Sequence, residues 1–156
     1  MIQRIQSVFL LLAAIFAVLQ FFFPVAWFYG DLYTIQFFVY RIFDHVPMNA
    51  PLFTVYFLIP IILIASILVL LPLLTIFSYR NLGRQSKMIR VIILLALLQI
   101  GLMFFFYVDR ISRIVSASPE YGFGVFIPLI IFVFAYLSLK GVQKDIKLLR
   151  SVDRLR

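Results

Sequence analysis

The chain has 156 residues, 65% of them apolar, with a mean hydropathy of +1.12 and a formal charge of +8. Soluble domains are roughly half apolar, so a water-soluble core of this length could not hide the excess. Cysteine is absent, which excludes disulfides, thiolate metal ligands and thiol redox chemistry together, and the basic balance is the expected by-product of Lys and Arg concentrating in cytoplasmic loops rather than a sign of nucleic-acid binding.

Four stretches carry no charge: Ile5–Gly30, Val46–Tyr79, Val91–Val108 and Tyr121–Leu139. At about 1.5 Å per residue even the shortest, of 18 residues, comes close to a ~30 Å hydrocarbon layer. The first predicts a span over about 5–29. Its apolar run is about twice a ~7–15-residue signal-peptide core and lacks a small-x-small cleavage site, so it is expected to stay as the first span. Pro24 and Trp27-Phe28-Tyr29 would end it at the outer interface, where amphipathic rings settle.

Residues 30–51 form an outer loop. Its core, Thr34–Phe43, is rich in aromatic and β-branched residues without clean alternation, so a short hairpin and an interfacial segment fit equally well. The second span covers about 52–79, where Pro60 and Pro72 each delete a backbone hydrogen bond and predict two kinks, or one kink and a late start. Arg80–Lys87 reads as a tight helical hairpin, with Asn81 or Gly83 as the left-handed stop and Ser86 as the next N-cap. The third span covers about 88–108. Asp109–Glu120 follows as a second outer connection ending in Ser118-Pro119, a turn or helix-start signal. The fourth span covers about 123–139 and leads into a tail over 140–156. One domain, 1–156, accounts for the chain.

Eleven of the Lys and Arg residues fall on one side of these spans and three, Arg41, Arg110 and Arg113, on the other. The positive-inside bias therefore predicts both termini in the cytoplasm, which requires an even number of spans. Trp27, Tyr29, Tyr56, Tyr107 and Tyr121 fall at the outer level, Tyr79 and Tyr136 at the inner. The fold class is an all-α membrane protein, a four-helix up-down transmembrane bundle with a C-terminal amphipathic cytoplasmic helix.

Ionisable residues within spans are the default pointers to proton relays and substrate sites, and these spans contain none. Their polar groups are neutral: Gln20, Ser66, Thr75, Gln99 and Ser138. Ser66 and Gln99 sit at the same depth on adjacent antiparallel helices, so a hydrogen bond between them is expected, worth ~0.6 kcal/mol and at most about 2; the functional alternative makes Gln99, with Gly101 beside it, part of a polar pocket. Ala13 and Ala17 form a small-xxx-small pair that would serve the bundle or a dimer. The single histidine, His45, reads as an exposed or interfacial loop side chain. Asp109, Arg110, Arg113 and Glu120 with His45 are the nearest approach to an enzyme site, but separate surface salt bridges are the expected use of those charges. No catalytic, metal-ligating or cofactor-binding residue is expected, and the chain is not expected to be an enzyme.

From Lys140 onward Val142, Ile146, Leu149, Val152 and Leu155 recur every three or four residues, while Lys144, Lys147, Arg150, Arg154 and Arg156 supply charge. That pattern predicts a basic amphipathic helix lying on anionic headgroups, or docking a cytoplasmic protein or another copy through its apolar stripe.

The opening Met1-Ile2-Gln3-Arg4-Ile5-Gln6-Ser7, running into Val8-Phe9-Leu10-Leu11-Leu12, and the closing Ser151-Val152-Asp153-Arg154-Leu155-Arg156 resemble a small family of four-span inner-membrane proteins of unknown function from Gram-negative bacteria. The resemblance extends over the full length, including the basic connection with Arg80, Arg84, Lys87 and Arg90. It implies a bacterial inner-membrane location and a four-helix fold, and it transfers no activity and no site residues. The expected role is a non-catalytic accessory or scaffolding subunit of a larger membrane complex. Its partners would be the lipid bilayer and either another membrane protein or further copies of itself, with no nucleic acid. The alternative is a small oligomeric transporter or channel.

Overall fold

The computed structural model describes residues 3–46, 53–79 and 81–153. Helix α1 (Gln3–Leu19) leads into strands β1 (Ala26–Tyr29), β2 (Thr34–Phe37) and β3 (Ile42–Asp44). A short 3-10 turn, Val55–Leu58, opens α2 (Ile59–Phe77). Helix α3 (Leu82–Gly101) continues through a π-helical segment, Leu102–Val108, into α4 (Asp109–Val115). Strand β4 (Pro119–Tyr121) and a 3-10 turn, Phe123–Phe126, precede α5 (Ile127–Asp153).

Three helical stretches, Tyr56–Phe77, Leu82–Val115 and Phe123–Leu149, are long and apolar enough to cross a membrane, and Ile5–Leu19 is a shorter apolar helix. By length and composition this is a membrane protein. The helices touch in the ring order α1–α2–α3–α5, which puts α1 and α3 on one diagonal. Leu10, Ala13 and Ala17 of α1, Leu68 of α2, Ile89, Ile92 and Ala96 of α3 and Ile131 and Ala135 of α5 fill the centre. Ala13 and Ala17 therefore serve the bundle itself, letting neighbouring backbones approach. Leu11, Ile15, Leu63, Leu70, Leu94 and Leu97 lie outside, the arrangement expected where the solvent is hydrocarbon.

The molecule is not all-α. A four-stranded antiparallel sheet of order β3-β2-β1-β4 caps one end of the bundle. Its inner face, Ala26, Phe28, Ile35 and Phe37, shares a core with Leu58 and Ile61 of the second span and Met103, Tyr107 and Ile111 of the third. The first outer loop thus resolves in favour of strands over its described part. The first span ends at Leu19 rather than near Tyr29. Phe21 N and Phe22 N tighten the last turn by donating to Val18 O and Leu19 O, and Gln20 Nε2 donates to Ala17 O at 2.9 Å. Pro24 then removes a donor and pushes Phe23 out of the helical region, and Val25 N joins Phe37 O at 2.8 Å to start the sheet.

Strand β4 is held beside β1 by a close backbone crossing. Gly122 N donates to Val25 O at 2.9 Å and Gly124 N to Pro24 O at 3.0 Å. A Cβ at Gly124 would lie 2.6 Å from both Phe23 O and Pro24 O. Only glycine lets the two chain segments pass this closely.

Several other expectations shift. Ser118-Pro119 opens a strand, not a helix. The third span runs two further turns past Val108, to Val115, where Ser116 ends it in the left-handed region at φ 53°. Pro60 lies in the first turn of α2, where no intrahelical bond is lost, and Pro72 lies inside the helix, so the late start is realised. Asn81, rather than Ser86, caps α3, its Oδ1 accepting from Arg84 N at 3.1 Å, and Gly83 has no positive φ. Tyr107 is not an interfacial ring: it is fully buried, and its hydroxyl donates to Phe57 O at 3.0 Å.

Candidate functional site

Alternation along β1 buries Ala26 and Phe28 against the bundle and turns Trp27 and Tyr29 the other way. In register, Trp27 faces Gln36 of β2 and Glu120 of β4, and Gln36 faces Phe43 of β3. The face of the sheet away from the bundle therefore carries a cross-strand row Phe43–Gln36–Trp27–Glu120. Arg41 and His45 flank Phe43 at two-residue spacing, which brings both to this same face.

These groups make a continuous, nearly parallel series. The Arg41 guanidinium carbon lies 3.3 Å from the centroid of the Phe43 ring. Phe43 and His45 rings are 6.4 Å apart with planes at 22°, His45 and Trp27 5.5 Å at 19°, and Trp27 and Tyr29 6.1 Å at 3°. His45 Nε2 donates to Gln36 Oε1 at 3.1 Å, and its backbone N donates to Thr34 O at 2.9 Å. The only tryptophan and the only histidine in the chain are thus in contact. Cation–π and ring stacking hold such groups in fixed orientations, giving a rigid surface of large, amphipathic side chains. Trp, Tyr and Arg are the residue types that dominate binding energy at protein interfaces. Period-two spacing in Trp27-x-Tyr29 and Arg41-x-Phe43-x-His45 is the signal that points to this face.

The expected pairing of Ser66 with Gln99 does not form. Ser66 Oγ donates to Ile62 O of its own helix at 2.8 Å, satisfying the hydroxyl locally, as serine in an apolar helix tends to do. Gln99 is fully buried and instead donates from Nε2 to Gln20 Oε1 at 2.7 Å, across the bundle diagonal. Gln99 Oε1 has no hydrogen-bond partner.

The tail is not a separate helix. It continues α5 without a break to Asp153, because Gly141 is helical and no proline intervenes. Its first turns are docked on α1: Gln6 Nε2 donates to Asp145 Oδ2 at 2.6 Å and Ser138 Oγ to Gln6 O at 3.2 Å, with Val142 fully buried beside them. Lys144 and Lys147 are exposed and Arg150 lies within the helix, while Arg154 and Arg156 fall outside the described residues. Of the charges on the second outer connection, Arg113 pairs with Asp109 one turn away at 3.0 Å, as an exposed salt bridge, and Glu120 lies on β4 opposite Trp27.

No curated protein and no solved structure matches the chain. The model of the family described as Domain of unknown function (DUF4293) matches residues 2–155, nearly the whole length, and the chain belongs to that family.

Proposed function

We propose that this protein is a non-catalytic subunit of a larger complex in the bacterial inner membrane, an accessory or scaffolding component that docks its partner through the exposed face of the sheet. In this reading α1 is the fourth span and both termini are cytoplasmic. The charge asymmetry supports that orientation, since Arg84 and Lys87 at the start of α3 and Lys144 and Lys147 on α5 belong to the end of the bundle away from the sheet. The sheet then stands at the outer surface.

The observation that carries the reading is the ordered series Arg41, Phe43, His45, Trp27 and Tyr29, of which Arg41, His45 and Tyr29 are exposed and Phe43 and Trp27 half-buried among the described residues. Affinity purification from native membranes in mild detergent tests it. A specific partner should co-purify with the wild type and be lost from Trp27→Ala and Arg41→Ala, whose outward side chains leave the inner face of the sheet intact. Recovery of the chain alone, or partner retention by both variants, would count against the proposal.

A small oligomeric transporter or channel is the second reading. Its support is the unpartnered, fully buried Gln99 Oε1. The apolar filling of the bundle centre weighs against a path through one copy, so the path would have to run between copies. Cross-linking of neighbouring copies in native membranes separates the two readings.

A further inference from the structure

On the flank of the bundle beside the sheet, a groove of about 340 Å³ runs between the 3-10 turn before α2 and the continuation of α3. One wall is Phe53, Thr54 and Phe57; the other is Phe106, Arg110 and Ile114, four residues apart and hence stacked along one helix face. The floor is aromatic, with Phe57 5.2 Å from Phe53 and 5.7 Å from Phe106. The π-helical segment contains Phe106, and its wider turn carries that ring outward, leaving it exposed.

Among the described residues two polar side chains, Thr54 and Arg110, line the groove. Thr54 makes no capping hydrogen bond with its hydroxyl, and among the described residues Arg110 has no ion-pair partner, since Asp109 is taken by Arg113. Both groups can donate and one is a fixed cation, while no acidic side chain is among the described residues that line the groove. Arg110 stands one turn beyond Phe106 and just past the end of the uncharged stretch Val91–Val108, the depth at which a phosphate meets a hydrocarbon chain.

We infer that this groove holds one anionic phospholipid from the leaflet on the side of the sheet, with an acyl chain against Phe53, Phe57 and Phe106 and its phosphate on Arg110 and Thr54. The volume falls at the small end of the ~300–1,000 Å³ range of ligand sites, which suits a single chain. A guanidinium binds phosphate through paired, charge-assisted hydrogen bonds. In a zwitterionic lipid the ammonium of the headgroup already offsets the phosphate and competes with the guanidinium for it, whereas an anionic headgroup leaves the phosphate charge to Arg110.

Native mass spectrometry of the full chain released from nanodiscs of phosphatidylcholine with a minority of phosphatidylglycerol tests the inference. The wild type should retain one phosphatidylglycerol in preference to phosphatidylcholine. Arg110→Gln should reduce that preference about tenfold, the loss expected for one charged hydrogen-bonding group. Thr54→Val should reduce it less, and Arg113→Gln, whose guanidinium is engaged by Asp109, should leave it unchanged. Equal retention of both lipids by the wild type would overturn the inference. So would an undiminished preference in Arg110→Gln, or an equal loss in Arg110→Gln and Arg113→Gln, which would mark a general surface-charge effect.

Discussion

Gln99 on α3 and Gln20 at the end of α1, 79 positions apart in sequence, are joined amide to amide at 2.7 Å across the bundle diagonal. Gln20 completes the arrangement by donating to Ala17 O at 2.9 Å, so one side chain both closes a helix end and ties it to the opposite helix. Such contacts inside a membrane bundle average ~0.6 kcal/mol and reach about 1.7. A double-mutant cycle of Gln20→Met and Gln99→Met should return a coupling energy in that range, read as unfolding free energy in detergent or bicelles. Each single substitution strands the other amide, so the double variant should be less destabilised than the sum. Strict additivity would show that the bond contributes nothing.

The two glycines Gly101 and Gly124 should respond to alanine with opposite signs. At Gly124 the new methyl would stand 2.6 Å from two carbonyl oxygens, which are backbone and cannot swing aside. At Gly101, within the long third helix, a Cβ meets nothing within 4 Å. Gly101→Ala should therefore stabilise by about 0.5–1 kcal/mol through helix propensity alone. Gly124→Ala should lower the thermal unfolding midpoint and detach β4 from β1. Hydrogen exchange at Trp27 and Glu120, the register pair two residues along from the Gly122–Val25 bond, would report that detachment.

The helices were legible because membrane hydropathy accumulates over a long window: any stretch of some 18 uncharged residues announces itself whatever its details. The sheet was not, because β1 alternates between buried and more exposed residues without alternating in polarity, and the polar–apolar alternation of β2, Thr34-Ile35-Gln36-Phe37, lasts only four residues. Phe28 points into the core and Trp27 away from it, yet both are aromatic, so Trp27-Phe28-Tyr29 has the same composition as an interfacial helix end. Tyr107 misleads for the related reason that a tyrosine at the edge of a span suits the headgroup level, whereas here the sheet covers it and Phe57 O accepts its proton. Depth along a helix did locate Gln99 near the middle of the span, but depth does not say which neighbour faces it. Ser66 satisfies its hydroxyl on its own helix, which a linear count of positions cannot reveal.

Tyr107 is the bolt between the third span and the sheet, touching Phe37 of β2 at a ring distance of 5.8 Å and Phe57 at 5.0 Å. Tyr107→Phe keeps both ring contacts and removes the bond to Phe57 O, for an expected loss of about 0.5–1.5 kcal/mol. Tyr107→Ala should cost about 3–5 kcal/mol because it also leaves a cavity. The ratio of the two effects, measured by thermal unfolding, separates hydrogen bonding from packing at this position.

Gln6 and Asp145 make the corresponding tie at the other end of the molecule, and Gly141 is what admits it. Asp145 is 9% exposed, and the Gln6 amide donates to its Oδ2 at 2.6 Å. Gln6→Leu removes that donor from a nearly buried carboxylate and should cost about 1.5–3 kcal/mol, the usual range for hydrogen bonds to charged groups. Asp145→Asn keeps an acceptor in place and should cost less. Gly141 lies against the same side chain, where a Cβ would sit 2.8 Å from Gln6 Cγ. Gly141→Ala should therefore destabilise the wild type by displacing Gln6 from Asp145. In a Gln6→Ala background the obstruction is gone and only the helix-propensity gain of about 0.5–1 kcal/mol remains. The sign of Gly141→Ala should thus reverse between the two backgrounds in thermal unfolding. A destabilisation of equal size in both would mean that Gly141 is required by something other than Gln6, and that α1 does not hold the start of the basic tail through this contact.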